Sequence, residues 1–377
     1  MGNSSFASLY DMVNWSRGSA FHSQPARLME YSGQPDVGGE TMKNFGMLLS
    51  ALLVLLGISG AIAEEPEPGK DRLYFVQFHH PGGEHEPNAP GERSWNTGAH
   101  RRKFMQVKGS YLAAVGGERK NGNVVFWGEW EPPSLVLQTF DEPVANGPKY
   151  LFKPVREAFF ESDPPLMNTD PFVYGGPFLY GNCKQNSRQG PTEMQRLARG
   201  SVILFGSNRD KQEFVLDTVL VVSDDTPYST ENWRVNLTRG VVPEYLPLSP
   251  LAISYELGVL EPGKVQHYRL YRGATPDAPV GKMFSYFPCQ PWTGEGAGFA
   301  RPVMKQEGVI DDTLSGWQRM NPQESLTDVE ALWQEVTRQV LAQGLSLCVA
   351  ADLPELRTKT EDGAPAKASG SPHQPKE

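Results

Sequence analysis

Short apolar runs, separated by turn-forming residues, recur along the chain from residue 72. They are RLYFVQF (72–78), NVVFWGEWE (123–131), SVILFGS (201–207), EFVLDTVLVV (213–222), VQHYRLYRG (265–273) and KMFSYF (282–287). Runs of this length, bounded by Gly, Pro, Asn and Asp, predict β-strands. The short polar segment 208–212 joins two of these runs, so the sequence predicts an antiparallel hairpin over 201–222.

One segment near the C-terminus has helical periodicity instead. In ESLTDVEALWQEVTRQVLAQG, residues 324–344, the apolar positions that share one helical face are Val329, Leu332, Trp333, Val336 and Val340. Ser325 and Asp328 predict a capping box, and Gly344 predicts a left-handed exit. Residues 345–350 then predict a last strand. The whole pattern predicts an α+β, β-rich fold, either a partly open barrel or a mixed sheet, with a C-terminal amphipathic helix.

The same patterns divide the chain into five parts. Residues 1–41 are rich in Ser and Gly without apolar periodicity, and 42–63 are apolar. A β-rich domain is predicted over 72–224, with strands and the C-terminal helix of 225–355 packed on it. Residues 356–377 have no apolar anchor, which predicts a disordered tail. Within the first domain, 141–192 are rich in Pro and Gly and predict long loops that shape a site, with one helical turn over 153–160.

The apolar segment 42–63 is typical of an export signal or a membrane anchor. Lys43 precedes an apolar run, Ala61 and Ala63 form an A-x-A cleavage pattern, and acidic residues follow. Both interpretations place the main domain outside the cytoplasm, and an uncleaved run over 45–63 would bind a membrane. The segment does not begin the chain, so two alternatives stay open: either Met42 is the true start and the upstream residues are not native to the protein, or the run is a transmembrane anchor. If the N-terminal segment is not native, the expected location is instead the cytoplasm.

Composition limits the classes of partner. With 35 basic and 44 acidic residues, the 377-residue chain carries a formal charge of −9, so no strong bulk affinity for nucleic acid is expected. Its three cysteines, Cys183, Cys289 and Cys348, are widely spaced and lack a C-x-x-C pair, which excludes a zinc knuckle. Neither G-x-S-x-G nor G-x-G-x-x-G occurs in the chain.

The stretch FVQFHHPGGEHEP, residues 75–87, concentrates groups that bind metal ions or exchange protons. A Pro-Gly-Gly turn could bring Glu84 or His85 back beside His80, and imidazole with carboxylate is a ligand set of hydrolytic metal sites. These three residues are therefore candidate ligands of a divalent metal, although no cofactor is certain. The alternative interpretation is a solvated loop whose histidines form local hydrogen bonds.

The stretch FWGEWE, residues 126–131, suggests a second kind of site. Trp127 and Glu129 share one strand face and Trp130 the other, but a bulge at Gly128 could reunite the indoles as a stacking cleft. The alternative is that the indoles belong to the core. Asp217 is also unusual, because a carboxylate inside the apolar run 213–222 needs a partner such as an arginine, or a bulge.

The segment RLARGSVILFGSNRDKQEFVLDTVLVV, residues 196–222, resembles PUA-like barrels of the EVE and ASCH type, in which a basic residue and a glycine precede two apolar strands joined by a short turn. The resemblance covers at most 72–224. It implies a cleft that receives a nucleobase, a stacking role for Trp127 and Trp130, and a phosphate or base-edge contact from Arg196 or Arg199.

Two functions follow as hypotheses. One is a β-rich module that binds a small planar ligand, such as a nucleobase or nucleotide, through Trp127, Glu129, Trp130, Arg196 and Arg199. The alternative is a metal-dependent hydrolase that uses the loop containing His80, Glu84 and His85. The sequence alone leaves open whether the protein is an enzyme.

Overall fold

The computed structural model describes residues 71–79, 102–132, 134–157, 168–187, 189–209, 213–238, 240–249, 265–305 and 318–357. The strands in these ranges are β1 (Tyr74–His79), β2 (Lys103–Leu112), β3 (Arg119–Gly128), β4 (Ser134–Thr139), β5 (Tyr150–Pro154), β6 (Arg156–Glu157), β7 (Leu179–Tyr180), β8 (Asn186–Ser187), β9 (Gly190–Pro191), β10 (Val202–Arg209), β11 (Glu213–Ser229), β12 (His267–Gly273), β13 (Phe287–Pro291), β14 (Val303–Met304), β15 (Arg319–Pro322), β16 (Ser346–Ala351) and β17 (Leu356–Arg357). The helices are α1 (Trp233–Asn236), α2 (Tyr245–Leu248) and α3 (Leu326–Ala342), with a 3₁₀ turn at Glu193–Gln195.

The first sheet is mixed and has seven strands. Its order is β15-β1-β10-β11-β12-β7, and β14 pairs with β11. β1 runs parallel to β10, while β10 and β11 form the antiparallel hairpin predicted from the sequence. Every residue of β1 is buried, which explains why that strand is a continuous apolar run rather than an alternating one.

The second sheet has six strands in the order β16-β13-β3-β2-β5-β4, and β16 also pairs with β2. That additional pairing closes a ring of four strands, β2, β3, β13 and β16. A β-rich α+β fold with mixed sheets, one of them partly ring-like, and a C-terminal helix is therefore confirmed. β11 crosses residue 224, and strands from both 72–224 and 225–355 contribute to each sheet.

Buried apolar side chains form two clusters. The first core cluster includes Phe126, Trp130, Tyr174, Phe205 and Phe287. The second includes Phe104, Trp127, Phe284, Tyr286 and Trp333. The helix α3 packs its apolar face on the second cluster, where the indole of Trp333 donates to the carbonyl of Phe284 at 3.1 Å.

The local signals of α3 are confirmed. The side chain of Ser325 accepts from the amide of Asp328, whose carboxylate accepts in return from the amide of Ser325. Gly344 follows the helix with a φ of 76°, and β16 follows Gly344. Capping of this kind satisfies amides that the first helical turn leaves without a backbone partner.

Two local predictions are wrong. The proposed helical turn over 153–160 is extended where it is described, since β5 ends at Pro154 and β6 covers Arg156–Glu157. The run 282–287 is mostly outside a strand, because Met283 and Tyr286 form only isolated bridges and β13 begins at Phe287.

Several predictions lie outside the described residues, namely those for 1–41, for 42–63 and for most of the tail 356–377. Within the ranges that the structure does describe, no helix is long and apolar enough to cross a membrane.

Candidate functional site

A β-bulge in the β10–β11 hairpin leaves Asp217 of β11 without a paired residue on β10. Phe205 pairs with Thr218 and Gly206 pairs with Leu216, so Asp217 lies between two paired positions. Gly206 permits this close approach, because a Cβ there would overlap the carbonyl oxygen of Val215. An extra residue of this kind bends the strand and redirects a side chain. Here it turns a carboxylate into the protein interior, where Asp217 is only 3% exposed.

Two buried arginines bind that carboxylate. Oδ2 of Asp217 accepts from Nε of Arg102 at 2.9 Å and from Nη2 of Arg301 at 2.6 Å. Nη1 of Arg102 also donates to Oε2 of Glu129 at 2.9 Å. We call Arg102, Glu129, Asp217 and Arg301 the charge cluster. It confirms the sequence-based expectation that Asp217 needs an arginine or a bulge, and both are present.

Strand ends position the members of the charge cluster. Arg102 directly precedes β2 and Glu129 directly follows β3, and these two ends are adjacent because Lys103 pairs with Gly128. Arg301 lies just before β14, which pairs with β11. The cluster therefore forms where three separate connections meet the β-bulge.

Two further side chains, Lys103 and Tyr174, fix the backbone around Glu129. The ammonium of Lys103, also buried, donates to the carbonyls of Trp130 and Pro132 at 2.8 and 3.0 Å and to the Ser134 hydroxyl at 3.0 Å. The hydroxyl of Tyr174 donates to the Glu129 carbonyl at 3.3 Å. Burial, reinforced by the Glu129 charge, raises the pKa of Tyr174 well above its usual value, so this phenol stays neutral and remains a donor.

A small cavity of about 10 Å³ adjoins the cluster. Its lining consists of Arg102, Phe126, Gly128, Glu129, Pro171, Val173, Phe205, Asp217 and Thr218. The volume is close to the minimum that holds one water molecule. Oδ1 of Asp217 is buried and has no hydrogen-bond partner in the described part of the chain. A buried acceptor in this state is costly, and a donor that entered the cavity would relieve the cost.

The structure does not bring the two predicted indoles together. Trp127 belongs to the second core cluster and donates to the carbonyl of Phe299 at 2.7 Å. Trp130 belongs to the first core cluster, donates to the carbonyl of Val155 at 3.1 Å and packs against Tyr174 at 4.9 Å between ring centroids. Each is no more than 3% exposed, so both are core residues here, and they form no shared stacking cleft.

The predicted basic residues lie elsewhere. Arg196 forms an ion pair of 2.9 Å with Glu193, and Arg199 is exposed. Both precede β10, whereas the bulge lies within that strand. Among the predicted ligand-binding residues, Glu129 is the member of the charge cluster.

His80, Glu84 and His85 lie outside the described residues. Their neighbour His79 is described: it is buried at the end of β1, pairs with Gly206 of the bulge and packs 5.2 Å from the Phe214 ring. The segment 80–101 thus follows a residue at the bulge and precedes Arg102 of the charge cluster. In the residues that are described, no three His, Cys, Asp or Glu side chains are grouped to hold a metal ion.

Arg102 and Arg301 are the site residues that sequence reasoning missed. Arg102 lies in the basic run HRRKF, which is indistinguishable from a solvated turn, and Arg301 lies in GFARPVM, which contains no motif. The only available signal was indirect: an aspartate in an apolar strand requires a cation from elsewhere.

Comparisons of the chain with protein-family models, with curated proteins and with solved structures found no match.

Proposed function

We propose that this protein is a β-rich binding module for a small, planar, uncharged ligand of the nucleobase class, and that the charge cluster contacts the polar edge of the ligand. One observation carries the proposal. Oδ1 of Asp217 is a buried acceptor beside a small cavity, and this oxygen has no hydrogen-bond partner among the described residues.

Charge balance argues for an uncharged ligand. Among the described residues, the cluster contains two guanidinium groups, Arg102 and Arg301, and two carboxylates, Glu129 and Asp217, whose formal charges cancel. An isolated pair of buried arginines would favour phosphate or carboxylate, but these arginines already have carboxylate partners. An anionic group would therefore gain little from these four residues, whose described charges already compensate one another.

Hydrogen-bonding chemistry narrows the class further. Carboxylate oxygens only accept, so the group that satisfies Oδ1 of Asp217 must present an N–H or O–H. Guanidinium groups only donate, so a ligand carbonyl next to this N–H or O–H would accept a hydrogen bond from Arg102 or Arg301. An N–H next to a carbonyl on one edge is the pattern of guanine and of uracil. The rings of Phe126 and Phe205 supply apolar lining.

The cavity volume limits how such a ligand would bind. Because the described residues enclose only about 10 Å³, a base would reach the cluster with one polar edge and keep its body outside. Glu129, whose side chain is 9% exposed, is the most accessible member of the cluster and the natural first contact.

The test is calorimetric titration of the protein with guanosine, uridine, adenosine and cytidine, and separately with inorganic phosphate. We expect a nucleoside to bind and phosphate not to bind. Glu129→Gln should weaken the affinity by about tenfold or more, since a well-placed pair of hydrogen bonds to a base edge contributes about 1–3 kcal/mol. Glu142→Gln, at an exposed position, serves as the matched control.

The proposal is wrong if none of the four nucleosides binds to folded wild-type protein. It is also wrong if Glu129→Gln, with an unchanged melting temperature, binds as tightly as the wild type.

A further inference from the structure

A second, open pocket lies at the other end of the β2–β3 hairpin from the charge cluster. It measures about 660 Å³ and is lined by Leu112, Val115, Gly116, Gly117, Arg119, Pro276, Asp277, Pro279, Lys282 and Phe284. We call it the hairpin pocket. β2 and β3 have ten residues each, so the hairpin pocket and the charge cluster are about 30 Å apart along the strands, at about 3.3 Å per residue.

Internal hydrogen bonds hold both walls of the hairpin pocket. In the β2–β3 turn, the Gly117 amide donates to the carbonyl of Ala114 at 3.0 Å. In the opposite loop, Val280 and Met283 exchange two backbone hydrogen bonds of 3.0 Å. An ion pair of 2.9 Å between Arg119 and Asp277 joins the two walls. The pocket is therefore formed before any ligand binds, which lowers the entropy cost of binding.

The floor of the hairpin pocket is apolar. Leu112 and Phe284 belong to the second core cluster and are 4% and 5% exposed, so they present a fixed surface. Val115 is 47% exposed, and Pro276 and Pro279 add further apolar lining. A volume of 660 Å³ with an apolar floor lies within the range of small-molecule sites.

The charged residues of this lining differ from the charge cluster in exposure: the side chains of Arg119, Asp277 and Lys282 are 38%, 76% and 80% exposed, so an incoming anion can displace their present partners. Among the described residues of the lining, Arg119 and Lys282 are cationic and Asp277 is anionic. Glu330 of α3 lies 3.5 Å from the Lys282 ammonium, but the Lys282 side chain is 80% exposed and long enough to turn toward the pocket. Asp277 already forms an ion pair with Arg119, so it competes with an incoming anion for that guanidinium.

From this arrangement we propose that the hairpin pocket binds small monocarboxylates with an apolar body. The apolar body lies on Leu112, Val115 and Phe284, and the carboxylate lies between Arg119 and Lys282. This site is independent of the charge cluster and of the nucleobase proposal.

Octanoate is a suitable probe, and octanol, with the same chain but no charge, is its control ligand. Calorimetric titration at low ionic strength should show octanoate binding more tightly than octanol. Lys282→Gln should weaken octanoate binding about threefold, as expected for loss of one exposed ionic contact. Val115→Asp should abolish the binding, because it places a carboxylate where the apolar body of octanoate would lie and repels the carboxylate of octanoate.

The decisive variant is Asp277→Asn. It removes the carboxylate that competes for Arg119, so it should tighten octanoate binding, whereas nonspecific partition onto apolar surface would not respond. Lys149→Gln, an exposed change outside the hairpin pocket, should leave the affinity unchanged. The proposal is overturned if octanoate does not bind, if octanol binds equally well, or if Asp277→Asn and Lys282→Gln do not shift the affinity in opposite directions.

Discussion

Asp217 and Arg102, 115 positions apart in the sequence, form a buried ion pair in which Oδ2 lies 2.9 Å from Nε. Arg301 binds the same oxygen. One carboxylate oxygen therefore accepts from two guanidinium groups, and removal of Asp217 would leave both arginines buried with less negative charge around them.

Asp217→Ala should lower the free energy of unfolding by about 3–5 kcal/mol, the range for breaking a buried ion pair by deleting one partner. Urea denaturation measures it. The control is Asp224→Ala on the same strand, where the exposed pair with Arg272 should contribute about 1 kcal/mol or less. Equal losses of unfolding free energy for the two variants would show that the buried ion pairs of Asp217 do not form in solution.

Lys103→Met should cost about 3 kcal/mol, because it leaves two buried carbonyls and the Ser134 hydroxyl without the ammonium that satisfies them. It should also weaken nucleoside binding, since the segment that carries Glu129 loses its anchor. Chemical denaturation and calorimetric titration report the two effects. Lys108→Met, at an exposed position of the same strand, should change neither. An unaltered midpoint for Lys103→Met would contradict the buried position of its ammonium.

Trp333→Ala should destabilise the fold by about 3–5 kcal/mol, the usual cost of deleting a fully buried large aromatic side chain. The variant also leaves the Phe284 carbonyl without its indole donor. The midpoint of thermal or urea unfolding measures the loss. Trp292→Ala, at a half-buried position on the same core cluster, should cost clearly less. A reversed order would mean that α3 does not pack as described.

Zinc should leave the melting temperature unchanged if residues 80–85 form a polar loop, which is the outcome we expect. Under the metal-dependent alternative, zinc would raise the melting temperature by mass action. That rise would be smaller at pH 5.5 than at pH 7.5, because ligation requires neutral imidazoles with an ordinary pKa near 6.5. It would disappear in His85→Ala and persist in the control His267→Ala. Such a result would move the hydrolase hypothesis ahead of the binding module.

Local pattern determined the elements whose defining contacts are close in sequence. The β10–β11 hairpin follows from two apolar runs and a short polar connection, and α3 follows from its apolar face, the Ser325–Asp328 capping box and Gly344. The sequence also identified Asp217 as a carboxylate that needed a partner, since burial of an uncompensated charge is costly in any fold. The sequence also named Glu129 as a candidate site residue because it lies between Trp127 and Trp130. The cleft expected between these two indoles does not form, since they belong to different core clusters.

Only the tertiary structure decided which strands are neighbours and what surrounds Asp217. The parallel pairing of β1 with β10 and the closure of β16 on β2 join segments more than a hundred positions apart, and nothing local to either strand encodes its partner. The same holds for Arg102 and Arg301, whose sequence neighbourhoods resemble ordinary surface turns. Periodicity records which face of an element is buried, because burial acts on each residue separately. It does not record against which element that face packs, because the partner depends on the register and order of all the strands together.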